Sequence, residues 1–136
     1  MDQSTFWTHT VSLSAVPGNA ARARDFVCAH LLLHDLPALV DDVRLVASEL
    51  TTNAMEHAQT PFTLTLMREG HSVLLSVQDG SPGLPRLGTP DASAQRGRGL
   101  SIVDRLSSAW GVDVAADRSK AVWARFETGR TMAPDW

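Results

Sequence analysis

The sequence predicts a two-layer α+β sandwich, with helices on one face of a mainly antiparallel, mixed sheet. Two observations favour this fold. Segments of period-2 alternation flank two long segments of helical periodicity, and the later strands occur in consecutive pairs. The 136 residues are enough for one domain with its own core. We therefore predict a single domain over residues 1–136, with its core at about residues 6–127.

The first half of the chain is predicted to form one strand and two helices. "FWTHTVSLSA" alternates apolar and polar residues and indicates a strand. "VPGN" indicates a turn, with Asn19 as the N-cap of a helix over "AARARDFVCAHLLLHDL". Pro37 marks a break and suits the first turn of a second helix, which runs to about Ala58.

The second half is predicted to form two strand pairs around a loop and a helix. "TPFTLTLMREGHSVLLSVQDG" indicates two strands joined near Glu69-Gly70. Residues 81–98, rich in Gly, Pro and Ser, form a loop longer than most in compact domains, and thus a candidate lid. "LSIVDRLSSAWG" indicates a helix that ends at Gly111, and "VDVAAD" and "AVWARFE" are the closing strands.

Composition excludes several classes of function. The formal net charge of −3 gives no general attraction to nucleic acid or to anionic membranes. Cys28 is the only cysteine, which excludes an internal disulfide and a cysteine metal cluster and favours a core role. No apolar run approaches the ~20 residues that span a bilayer, and the N-terminus lacks a signal-peptide pattern. We expect a cytoplasmic protein.

Three polar residues recur along the second helix at four-residue spacing. Glu49, Asn53 and His57 therefore form one row along its surface. The apolar stripe comprises Leu39, Val43, Val46, Leu50 and Ala54, and the far side comprises Arg44, Ser48 and Thr52, which we expect to face solvent. The row borders the core, where a carboxylate needs a partner or a task. The alternative is a rim Glu49 that is hydrogen-bonded to Asn53.

Two further patterns are candidates for ligand binding. Asp79 ends an apolar strand just before a turn-rich segment, and is either an Asx-turn residue or a buried group that binds a ligand. Gly97 and Gly99 directly precede a helix, where free N–H groups make an anion site; a hinge or cap is the alternative. Ile102 stands where a Rossmann fingerprint needs its third glycine, and no Walker A sequence follows.

Taken in order, these motifs resemble those of a known superfamily. "ELTTNAMEHA", "DGSPG" and "GRGL" are similar to the N box and the two glycine boxes of the GHKL (Bergerat-fold) ATP-binding proteins. The small size and short lid resemble the bacterial anti-sigma-factor serine/threonine kinases of the RsbW/SpoIIAB type. The resemblance covers nearly the whole chain, from about Phe6 to Glu127.

The resemblance implies roles for the residues around the N box and first glycine box. Asn53 would be a ligand of Mg²⁺, which bridges the phosphates of ATP, and Glu49 would be the catalytic general base. Asp79 would accept a hydrogen bond from the adenine amino group, and Gly83 would let the backbone approach the base. His57 stands where the family often has a basic residue in the binding site.

The second glycine box is implied to bind the phosphates. Gly97, Gly99 and Leu100 would present backbone N–H groups, and Arg98 would offset phosphate charge unless it is a solvated lid residue. Ser81 departs from the family's glycine, although serine is also small.

A second departure concerns Ala121, which we place where many relatives have a threonine that supports adenine binding. The absence of this hydroxyl would weaken the affinity for ATP or lower the selectivity for adenine nucleotides.

The resemblance implies an enzyme that uses ATP and Mg²⁺. It would phosphorylate a Ser or Thr on a small STAS-domain anti-anti-sigma partner and would sequester a sigma factor, and the resemblance to relatives of this size indicates a homodimer. The alternative is a non-catalytic module that holds a sigma factor or another partner in a nucleotide-dependent way. Glu49 favours the enzyme, and Ala121 slightly favours the module. A domain that binds no nucleotide is a third possibility, disfavoured by the glycine boxes.

Overall fold

The computed structural model of the chain describes residues 5–57, 60–80, 100–115 and 119–129. Strand β1 (Phe6–Leu13) leads to helix α1 (Asn19–Leu33), a 3-10 turn (Pro37–Leu39) and helix α2 (Val40–His57). Strands β2 (Phe62–Glu69) and β3 (Ser72–Asp79) follow. Residues 100–106 are helical (α3), and β4 (Ala109–Val114) and β5 (Lys120–Glu127) complete the described elements. None of the helices in these ranges combines the length and apolar character required to cross a membrane.

The five strands form one sheet in the order β1-β2-β3-β5-β4, and every described pairing is antiparallel. β5 therefore lies between β3 and β4, although β4 precedes it in the chain. The helices pack on one face of this sheet, because alternate strand residues on that face are buried against them. The predicted α+β fold is confirmed.

The core lies between α1, α2, α3 and the helix-facing side of the sheet, here called the inner face. Its fully buried large side chains come from all three helices and from β2 and β3: Val27, Leu31, Val43, Val46, Leu50, Phe62, Leu64, Leu66, Val73, Leu75 and Val103. Cys28 is half-buried against this cluster, as its apolar surroundings predict. The outer face is largely polar, with cross-strand hydroxyl pairs such as Thr10–Thr65 (3.3 Å).

The start of α1 differs from the prediction. The N-cap is Gly18, and Asn19 is the first helical residue. The Asn19 amide nitrogen donates back to the carbonyl oxygen (2.8 Å) and the hydroxyl (3.2 Å) of Ser14. Asn19 therefore ties the helix to the end of β1, and its role as an N-cap was predicted wrongly. Pro37 does begin the turn that leads into α2, as predicted.

The predicted end of the third helix at Gly111 is also wrong. The helix ends at residue 106, and the backbone N–H of Ser108 already donates to the carbonyl of Arg125 in β5 (2.7 Å). Gly111 lies inside β4, opposite Trp123. A Cβ atom at position 111 would lie 2.7 Å from Cζ2 of Trp123, so glycine is needed here for the indole ring and not for a helix end.

α1 contacts the edge strand β1 through three histidines, called the histidine cluster: His9, His30 and His34. The Nε2 atoms of His9 and His34 are 2.9 Å apart, and the His9 ring stacks on His30 with centroids 3.8 Å apart. Trp7 stacks on His34 at 4.0 Å. Burial, followed by the neighbouring imidazoles, lowers the pKa of His30; burial, His9 and then Arg68 lower the pKa of His34.

Candidate functional site

Two of the three residues in the predicted polar row have described side chains. Glu49 and Asn53 are both half-buried, next to the buried face of α2. That face comprises Val43, Val46, Ala47, Leu50, Thr51 and Ala54. Within the described part of the chain, neither Glu49 nor Asn53 makes a side-chain hydrogen bond, so the Glu49–Asn53 bond that the alternative required is absent there. The row borders the core, as the helical wheel predicts.

The opposite flank of α2 was expected to face solvent, but only part of it does. Ser48 is half-buried and its hydroxyl accepts a hydrogen bond from Nη1 of Arg24 in α1 (3.4 Å). Thr52, also half-buried, lines a cavity of about 630 Å³ with Ala20 at the start of α1. α1 covers this flank because it packs directly against α2. Of the three residues expected to face solvent, only Arg44 is exposed.

Glu49 and Asn53 lie on the other flank of the buried face of α2 from Ser48. The sheet order places β1 and β4 at opposite edges; α1 lies by β1, and α3 lies by β4, where Nε1 of Trp110 donates to Asp104 (3.0 Å). α2 lies between them and contacts the central strands. A second cavity, of about 420 Å³, separates the start of α2 from the end of α3.

Asp79 is the last residue of β3 and its side chain is only 2% exposed. It lies on the inner face, opposite Phe62 of β2 and Lys120 of β5. The Nζ atom of Lys120 is 3.8 Å from Oδ2 of Asp79. A carboxylate this buried needs a charged or hydrogen-bonding partner. Its burial suits a buried acceptor at the end of the sheet, whereas the Asx turn that was the alternative involves residues after Gly80, which lie outside the described residues.

Chain connectivity brings α2 and Asp79 to the same end of the molecule. Only residues 58–61 separate the last residue of α2, His57, from Phe62, which pairs directly with Asp79. Asn53 lies one helical turn before that end, and Glu49 lies two turns before it. The described part of the site is thus a half-buried carboxylate and carboxamide on one helix and a buried carboxylate at the adjoining sheet end.

Several predicted site residues lie outside the described residues. These are the side chain of His57 and all of Ser81, Gly83, Gly97, Arg98 and Gly99, together with the predicted lid at residues 81–98. Leu100 is described: it begins the helical residues of α3 and is half-buried.

The structure corrects the role given to Ala121. Ala121 lies opposite Gln78, on the outer face, so no side chain at position 121 points to the side of Asp79. The residue beside Asp79 is Lys120, which the sequence predictions missed. The sequence did contain this information, because side chains alternate between the two faces along β5. Lys120 is on the same face as Val122, Ala124 and Phe126, so the only lysine of the chain had to face the core.

Comparison with known proteins gives one family. The family described as "Histidine kinase-like ATPase domain" matches residues 13–126, which is 114 of the 136 residues. The matched range contains the predicted N box and both predicted glycine boxes. No curated protein matches the chain.

Proposed function

Because the chain belongs to the family of histidine kinase-like ATPase domains, which supports ATP binding, we propose that it is a serine/threonine kinase of the anti-sigma-factor type. Its substrate is a Ser or Thr hydroxyl on a small STAS-domain anti-anti-sigma protein, and it regulates transcription by sequestering a sigma factor. The observation that supports this best is the pair Glu49 and Asn53, which make no hydrogen bonds to other described residues and lie on the helix whose last residue adjoins the Asp79 end of the sheet.

The described residues fit a nucleotide with its magnesium ion. Asp79 is a buried acceptor suited to an amino group, and the carboxamide oxygen of Asn53 is a hard ligand of the kind that Mg²⁺ prefers. No group of three or more His, Cys, Asp or Glu within the described ranges could hold a metal ion. Asn53 would therefore hold the ion together with phosphate oxygens and not as part of a carboxylate cluster. When bound, Mg²⁺ neutralises charge that develops on the transferred phosphoryl group.

The mechanism assigns one task to each of the three residues. Asp79 orients the base by accepting a hydrogen bond from its amino group, and Asn53 fixes the position of the phosphates. Glu49 accepts the proton of the attacking hydroxyl, a weak nucleophile at neutral pH. Its position one turn before Asn53 would bring its carboxylate near the phosphates without making it a metal ligand. Positioning and electrostatics supply most of the rate enhancement in such transfers.

The proposal is tested by phosphoryl transfer. The protein is incubated with Mg-ATP and each STAS-domain protein of the same genome, and the partner is weighed by mass spectrometry. We expect a phosphoryl mass gain on one partner, and its loss in Asn53→Ala. Thr52→Ala is the matched control, because Thr52 is the preceding residue but faces the α1 side. Transfer by Asn53→Ala at the wild-type rate would contradict the role of Asn53.

Binding and catalysis are separated in the same experiment. Calorimetry measures the affinity for ATP. Light scattering measures the mass of the free protein, which shows whether it is a homodimer, and the mass of its complex with a sigma factor. If the folded protein binds ATP and a sigma factor but transfers no phosphate, it is the non-catalytic binding module. If it shows no nucleotide affinity at millimolar concentration, both forms of the proposal fail.

A further inference from the structure

Lys120 occupies a place where a lysine needs a reason. Its side chain is 12% exposed and lies on the apolar inner face, in register with Asp79. Lysine is rarely buried to this extent without a partner, because removing an ammonium ion from water is costly. Lys120 is also the only lysine among 136 residues, whereas the protein has eleven arginines. A guanidinium would bind a carboxylate in a planar, two-pronged pair, but an ammonium keeps three freely directed donors.

The pair is close without being a direct hydrogen bond. The separation of 3.8 Å between Nζ of Lys120 and Oδ2 of Asp79 exceeds the usual hydrogen-bonding distance. The two charges therefore attract each other, and the three donors of the Lys120 ammonium are not used up by this carboxylate oxygen. As a purely stabilising device such a pair has little value, since a well-packed apolar pair often replaces a buried ion pair without loss. The pair lies at the end of the sheet that is proposed to bind the nucleotide, which indicates that it serves to bind a ligand.

We propose that Lys120 recognises the purine base. Its ammonium group donates a hydrogen bond to the base, next to the base group whose hydrogen bond Asp79 accepts. This rests on the proposed nucleotide binding and deepens it. Side by side, the pair offers one acceptor and one donor. On the Watson–Crick edge, adenine presents its N6 amino donor next to the N1 acceptor, and guanine presents its O6 acceptor next to the N1–H donor. Both purines complement the pair, so the site accepts GTP as well as ATP, with dissociation constants within about tenfold of each other.

The decisive experiment changes single atoms of the ligand. Affinities of the wild type for ATP, 1-deaza-ATP and 7-deaza-ATP are measured by calorimetry, together with that for GTP. We expect 1-deaza-ATP to bind at least tenfold more weakly than ATP, the scale of one charge-assisted hydrogen bond, and 7-deaza-ATP, which keeps N1, to bind as ATP does. Methionine is similar in length to lysine but has no donor. In Lys120→Met this discrimination should therefore disappear, and the affinity for GTP should fall at least tenfold. Lys120→Arg, which keeps a donor, should retain part of the discrimination.

A second measurement does not depend on a variant that folds. Because the chain has a single lysine, labelling with ¹³C,¹⁵N-lysine gives a spectrum of one side chain. The Lys120 resonances should shift on titration with ATP, and should shift less with the deaza analogue that lacks the acceptor. If ATP binds but both analogues bind equally well and the lysine signals stay in place, the inference is overturned and the proposed function stands. If the wild type binds no nucleotide, both are overturned.

Discussion

Replacing Gly111 by alanine should destabilise the protein through the ring of Trp123. An ideal Cβ at position 111 lies 2.7 Å from Cζ2 and 2.9 Å from Cε2 of Trp123, whereas ordinary contact begins at 3.4 Å. The rigid indole must therefore move by about 0.7 Å (3.4 minus 2.7) or rotate out of its place opposite residue 111. Overpacking of this kind costs about 1–3 kcal/mol, and alanine regains about 0.5–1 kcal/mol that glycine loses in a strand. We expect a net loss of about 1–2 kcal/mol.

Urea unfolding of four proteins tests this reasoning: wild type, Gly111→Ala, Trp123→Thr and the double variant. With the indole removed, the clash is absent, so Gly111→Ala should stabilise the Trp123→Thr protein by about 0.5–1 kcal/mol. The predicted reversal of sign is the critical result. Should Gly111→Ala cost the same in both backgrounds, or cost nothing in the wild type, the explanation by contact with Trp123 is wrong.

The other predictions concern catalysis, pH and packing. Glu49→Gln should keep ATP affinity but lower single-turnover phosphoryl transfer by roughly 10²-fold or more, and equal rates would eliminate the general base. Because the pKa values of His30 and His34 are lowered in the folded protein, the unfolded chain takes up protons first as the pH falls. The contribution of these histidines to the free energy of unfolding should therefore be constant above about pH 6.5 and should decrease below it. A urea midpoint that does not change from pH 8 to pH 5 would refute this. Leu75→Ala should cost about 2–5 kcal/mol in urea unfolding and Leu74→Ala, on the outer face, clearly less; equal losses would contradict the assignment of faces.

The sequence predicted the elements well where periodicity alone decides them. Alternation identified β1, β2, β3 and β5, and the 3.6-residue period identified α1 and the apolar face of α2. It failed at Gly111, because a glycine after a helical segment has the same local signature whether it ends the helix or admits a ring from another strand. That distinction depends on Trp123, twelve residues later, and on the pairing of β4 with β5.

The site shows the same division between local and non-local information. Glu49 and Asn53 were predicted as site residues from their spacing along one helix, and Asp79 from its place at the end of a strand. The position of the relatives' adenine-supporting threonine was assigned to Ala121, but the residue in register with Asp79 is its neighbour Lys120. The face of a β-residue is reversed by a shift of one position, so the error moved the contact to the wrong side of the sheet. Only the register between β3 and β5 resolves it.

The insertion of β5 between β3 and β4 sets an order for assembly of the protein during synthesis. Strands β1, β2 and β3 and both long helices are complete by residue 79, but the other neighbour of β3 begins at residue 120. Until about forty more residues emerge, the edge of β3 is unpaired and Asp79 lacks Lys120. Pairings between distant segments form slowly, and open strand edges favour aggregation. Nucleotide bound through both residues would select chains in which this last pairing has formed, and mass action would then stabilise the completed sheet.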